Sequence, residues 1–159
     1  MIWDMSFWDL GFFINRSLYS LLGAFERDGS MNRDELRLRT KQFALRIIRL
    51  VAALPAGTIG WVLGKQLLRS GTSIGANYRE ALRASSRRHF QTTIEIALRE
   101  ADETLYWLEL LSEAEIVAPS RLNDLTRECD ELVAIFTATG KTTREKDASG
   151  TGQNPKSQI

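Results

Sequence analysis

The sequence predicts an all-α protein, an antiparallel up-and-down four-helix bundle, on three observations. Apolar residues recur at three- and four-residue steps in four successive segments between residues 34 and 139. Breakers (Pro55-Ala56-Gly57, Ser85-Ser86 and Ala118-Pro119-Ser120) fall between those segments, where short helix-to-helix connections belong. No alternating strand pattern and no Asn-Gly or Asp-Gly hairpin signal interrupts them. Four such helices bury their apolar stripes most simply against one another.

In the first segment Leu36, Phe43, Ile47, Leu50, Val51 and Leu54 share a face, and Pro55, which has no N–H to donate, ends it. The second runs from about Thr58 to Ala84, with Leu63, Leu67, Ile74, Tyr78 and Ala81 as its stripe and Ser70 and Asn77 on the same face. Ser85-Ser86 offers a hydroxyl cap for the third. There Phe90, Ile94, Ala97, Leu98, Ala101, Leu105, Leu108 and Leu111 make the longest stripe of the chain. In the fourth, Leu122, Leu125, Cys129, Leu132 and Phe136 repeat up to Gly140, a candidate C-terminal cap. Each Leu- or Phe-sized side chain contributes about 1.5–3 kcal/mol on burial, so the four stripes together can offset the ordering entropy of a domain this size.

The bundle therefore spans residues 34–139, and the flanks read differently. Residues 140–159 hold hardly an apolar side chain and are expected to form a disordered tail. Residues 1–30 are rich in aromatics, and Trp3, Phe7, Leu10, Ile14, Leu18, Leu21 and Phe25 keep a helical period. Asp4, Asp9 and Arg16 break any stretch of membrane-spanning length, and the first charges are acidic, unlike those of a secretory signal. Two readings stand for this N-terminal extension. It is an extra amphipathic helix, docked on the bundle or on a membrane surface, or an over-extended start ahead of a true beginning at Met31. Either way the expected compartment is the cytoplasm, with no membrane span.

The chain has 159 residues, one Cys and one His. An intrachain disulfide and a two-histidine metal site are both excluded. A di-iron bundle needs two Glu-x-x-His pairs, and Ser86 stands three residues before the single histidine, His89. Gly57, Gly60 and Gly64 do not form a phosphate-binding loop. Cys129 sits in an apolar stripe, where a thiol behaves as a small hydrophobe. No catalytic, metal or cofactor-binding residue is assigned, and an enzyme is not expected.

Charge is the informative feature. Arg33 to His89 contains twelve Lys/Arg and three Asp/Glu, a local charge of +9, whereas Glu95 to Glu131 contains three Arg and eleven Asp/Glu, a local charge of −8. At 100° per residue Lys65, Arg69, Arg79, Arg83 and Arg87 fall within an arc of about 80° on the second helix, with Arg88 beside them. Such a line suits a nucleic-acid backbone, and Arg33, Arg37 and Lys41 would extend it from the first helix. The competing use is pairing: Glu95, Asp102, Glu109 and Glu113 form an acidic face on the third helix, within the subunit or on a neighbour.

The run Gln66-Leu67-Leu68-Arg69-Ser70-Gly71-Thr72-Ser73-Ile74-Gly75-Ala76-Asn77-Tyr78-Arg79-Glu80-Ala81 is rich in small residues. Glycine inside a helix costs about 0.5–1 kcal/mol relative to alanine, so Gly71 and Gly75 point to close packing against another backbone, helped by Ser70 and Ser73. Asn77 near the apolar stripe would set register if buried, and Glu80 among Arg79, Arg83, Arg87 and Arg88 is expected in a salt bridge.

This run, followed by Phe90, Ala97-Leu98-Arg99-Glu100-Ala101, Glu103-Thr104 and Tyr106-Trp107-Leu108, resembles the bacterial four-helix-bundle family encoded in intervening sequences of large-subunit ribosomal RNA. The similarity covers roughly residues 36–138. It implies an antiparallel four-helix bundle assembled as a ring-like homopentamer without enzymatic activity. It also implies distant kinship with accessory proteins of diversity-generating retroelements, which bind nucleic acid and a reverse transcriptase. The expectation is a homo-oligomer with a nucleic-acid-binding accessory role, on RNA or DNA, through the basic face. The alternative is a structural or protein-recruiting self-assembly module that makes no use of nucleic acid.

Overall fold

The computed structural model describes residues 32–150, with side chains through residue 143. Four helices make up this region: α1 (Arg33–Ala52), α2 (Thr58–Ala81), α3 (Arg87–Glu113) and α4 (Pro119–Gly150). Each packs on the next in sequence, and α1 meets α4 more sparingly, which closes the bundle. The expectations for residues 1–30 and for the last part of the tail lie outside the described residues.

The core is the one the spacing predicts. Phe43 and Ile47 of α1, Leu67 and Ile74 of α2, Ile94, Leu108 and Leu111 of α3, and Leu122, Leu132 and Phe136 of α4 are fully buried. Tyr78 stacks obliquely on Phe136 with ring centroids 5.8 Å apart, and its hydroxyl donates to the Arg33 carbonyl 3.3 Å away. Burial is the main reason its phenol is pushed above the ordinary range. Three buried threonines, Thr40, Thr93 and Thr104, were not legible from periodicity. Each donates its hydroxyl to a carbonyl of its own helix, at 3.2, 2.9 and 2.6 Å, so burial costs none of them a hydrogen bond.

The connections follow their residue types. Gly57 has φ +136°, a conformation few residues with a side chain adopt, and it turns the chain from α1 into α2. Ser86 caps α3, its Oγ accepting the His89 amide at 3.1 Å. Two expectations are corrected. The second helix ends at Ala81, not Ala84, because the Arg83 and Ala84 amides bond back to the Glu80 and Ala81 carbonyls at 2.9 and 3.0 Å in a tight turn. The fourth passes through Gly140 to Gly150, where residues 140–150 were expected to be disordered. Extending a nucleated helix is far easier than starting one, and Lys141 to Ala148 contains neither Pro nor Gly. A lack of apolar residues argues against packing, not against helical extension.

Candidate nucleic-acid interface

The predicted basic line is divided among three elements. Lys65, Arg69 and Arg79 lie on α2, Arg83 lies in the turn after it, and Arg87 and Arg88 open α3. The single stripe is therefore corrected: the early end of α2 moves Arg87 onto another helix axis, and Arg69 is already occupied.

Arg69 Nη2 donates to Glu103 Oε1 at 2.5 Å, and Nη1 lies 3.5 Å from Glu100 Oε1. Trp107 Nε1 donates to the same Glu103 oxygen at 3.2 Å. The Arg69 hydrogen bond holds the Glu103 carboxyl below the usual carboxylate range. The partners of α2 are thus Glu100 and Glu103 on the flank of α3, while Asp102, Glu109 and Glu113 of the expected acidic face point outward. Positions 100, 103 and 107 share one helical flank, a spacing that could have flagged the network. A second lock was missed. Arg39 of α1 reaches Glu128 of α4 through Nε at 2.6 Å and also contacts Glu131, across the seam where α1 and α4 are least closely packed. Those two carboxylates raise the Arg39 pKa against the opposing effect of burial, so the guanidinium stays charged.

The small-residue motif acts as packing. A methyl on Gly71 would lie 2.8 Å from Ile47 Cγ1, and one on Gly75 would meet the Thr40 carbonyl at 3.4 Å. Ser70 is buried with its hydroxyl on the Gln66 carbonyl at 3.1 Å, and Ser73 bonds the Arg69 carbonyl at 2.7 Å. Two further readings are corrected. Asn77 is half-buried rather than buried, and its amide donates to the Ser73 carbonyl of its own helix at 2.9 Å. Among the described residues Glu80 pairs with His89, Nε2 to Oε1 3.4 Å, rather than with an arginine.

Antiparallel packing brings the start of α1, the end of α2, the start of α3 and residues 142–143 of α4 to one end of the bundle. A recess there is lined by Arg33 and Arg87, by Ala81, Leu82 and Phe90, and by the hydroxyl residues Ser86, Thr142 and Thr143. Arg79, Arg83 and Arg88 are exposed beside it. Among the described residues Arg33, Arg79, Arg83 and Arg88 form no salt bridge. Among the residues whose side chains are described, the nearby acids are Asp34, which pairs with Arg37 at 3.0 Å, Glu80, which faces His89, and Glu35, which is exposed. Four of the arginines that form no salt bridge among the described residues gather at this end, while others, such as Arg49, Arg99 and Arg121, lie elsewhere on the bundle.

The opposite end is apolar. Val51, Leu54, Pro55, Trp61 and Leu68 line a second recess, and Ile59 and Trp61 remain 66% and 68% exposed. Lys65, the last of the predicted cations, lies here with Nζ 5.4 Å from the Trp61 ring.

Neither the single histidine nor the single cysteine lines either of these two recesses. His89 is exposed, and Cys129 is buried with Sγ 3.3 Å from the Ala101 carbonyl. Burial pushes the Cys129 thiol up to about 12, which leaves no thiolate at neutral pH.

Comparison with known proteins agrees with this architecture. The family model described as 23S rRNA-intervening sequence protein matches residues 35–138. A crystal structure of a protein of unknown function from the S23 ribosomal protein family of Bacteroides thetaiotaomicron is 39% identical, with a TM-score of 0.65. The alignment covers 70% of this chain and 99% of that one. No curated protein matches the chain. No helix among the described residues is long and apolar enough to cross a membrane.

Proposed function

We propose, for a chain that belongs to the 23S rRNA-intervening sequence protein family, a non-enzymatic accessory role in which the basic end of the bundle binds nucleic acid. The observation that supports this reading is a cluster of exposed arginines at one end of the bundle, set apart from the arginines that cross between helices. Arg39 and Arg69 hold the fold together, while Arg33, Arg79, Arg83 and Arg88 collect at one end without salt-bridge partners among the described residues. Phosphate neutralisation by such a cluster releases counterions, so affinity falls steeply as salt rises. The family's association with ribosomal RNA favours RNA as the first ligand to try.

The chain acts as a homo-oligomer, a pentamer by family resemblance. Ile59, Trp61 and Leu68 give it an apolar surface suited to self-association, at the end away from the arginine cluster. If that surface alone carries the role, the protein is a self-assembly module that does not touch nucleic acid. Retention of mixed RNA and DNA at low and moderate salt separates the two readings. Binding that weakens with salt and is abolished in the Arg79→Glu, Arg83→Glu, Arg88→Glu triple variant supports the first. An absence of binding at low salt overturns it and leaves the second.

A further inference from the structure

We infer that the recess at the basic end accepts one unstacked nucleotide, its base against Leu82 and Phe90 and its phosphate against Arg33, and so selects single-stranded over duplex nucleic acid. The inference rests on the nucleic-acid reading above and goes beyond it, because a cluster of surface arginines alone tracks any phosphate backbone without preference for strandedness.

Three features of the recess carry it. Its volume is about 370 Å³, within the roughly 300–1,000 Å³ span of sites that hold small molecules. Its lining is mixed: Ser86, Thr142 and Thr143 are polar, while Ala81, Leu82, Ala84 and the half-buried ring of Phe90 give it an apolar part. Its lining includes two cations, Arg33 from the first residue of α1 and Arg87 from the first residue of α3, and Arg83 and Arg88, each next in sequence to a lining residue, are exposed. A stacked duplex offers the recess only phosphates and cannot reach its apolar part. An unpaired base can, and stacking or apolar contact with a side chain adds to affinity regardless of which base it is. The apolar recess at the other end lacks this combination, since Lys65 is its one lining cation among the described residues and lies over Trp61.

The test uses the full chain and three fluorescent probes of equal length: a single-stranded RNA, the same strand with abasic nucleotides, and its duplex. Abasic and normal strands carry the same phosphates, so any difference between them reports the base. We expect the normal strand to bind about tenfold more tightly than the abasic strand. Ala84→Phe fills the recess from the turn after α2 without altering charge and should erase that difference, with helical content unchanged by circular dichroism. Arg33→Gln should weaken the normal strand more than the duplex, and it serves as the second variant if Ala84→Phe does not fold. Equal wild-type affinity for normal and abasic strands overturns the inference while leaving phosphate binding intact. Failure of all three probes to bind at low salt overturns the nucleic-acid reading itself.

Discussion

The two ends of the bundle are built from the same four helices yet present opposite surfaces. At one end Arg33 lines a shallow recess and Arg79, Arg83 and Arg88 are exposed nearby, and at the other Ile59, Trp61 and Leu68 stand exposed around Pro55 and Gly57. Neither surface is needed by the core, which is filled by residues such as Phe43, Leu67, Leu108 and Phe136. The arginines that tie helix to helix are spent elsewhere, where Arg69 meets Glu100 and Glu103 and Arg39 meets Glu128 and Glu131. A side chain that the fold does not use, gathered with others of its kind, is the best pointer to function that this molecule offers.

That contrast can be broken in stages. The largest effect is expected from reversing Arg79, Arg83 and Arg88 together. At low salt nucleic-acid affinity should drop by at least a hundredfold with an unchanged melting temperature, and the slope of log affinity against log salt should shrink by about one for each phosphate that is no longer neutralised. Gly71→Val addresses the middle of the bundle instead. Its added atoms would meet Ile47, and overpacking of this kind costs about 1–3 kcal/mol, read as a lower denaturation midpoint. Trp61→Glu should leave helix content and melting temperature within error and shift light scattering toward smaller species, since the side chain is largely exposed. Loss of nucleic-acid binding by the monomer so formed would show that the two ends act together rather than separately.

A last effect, confined to alkaline pH, is a pH dependence. The thiol of Cys129 is raised from 9.0 to about 12 by burial, so the folded state favours the protonated form. Its contribution is complete below pH 9 and is lost as pH climbs from about 9 to about 12, at up to about 1.4 kcal/mol per pH unit. Alkaline denaturation that is shallower in Cys129→Ala than in the parent, with both fully helical at pH 8, is the expected observation. A thiol reagent should label the native protein at pH 8 only as fast as it opens.

Much of the fold was legible in the sequence because apolar periodicity reports burial directly: Phe43, Ile47, Ile74, Ile94, Leu132 and Phe136 were all placed correctly from spacing. Helix ends were less legible, since they depend on single hydrogen bonds. The amides of Arg83 and Ala84 turn the chain three residues before the expected end of the helix, and that displacement carries Arg87 off the predicted stripe. The charged residues were read correctly as two opposed sets but not as pairs. A helical wheel gives the direction of a side chain on its own axis and says nothing of which neighbour it meets, so Arg39 with Glu128 and Arg69 with Glu103 emerged only in three dimensions. The recess at the basic end needs residues from α1, α2, α3 and α4 together, a juxtaposition that no local pattern encodes.

Hydrogen–deuterium exchange of the full chain with and without a single-stranded RNA tests the account most directly. The first amides of α3 have no carbonyl partner within the helix and exchange fast in the free protein. The account predicts slowed exchange at residues 33–37 and 79–90 on adding RNA, with residues 54–68 unchanged. Protection confined to 54–68, around Trp61, would contradict it.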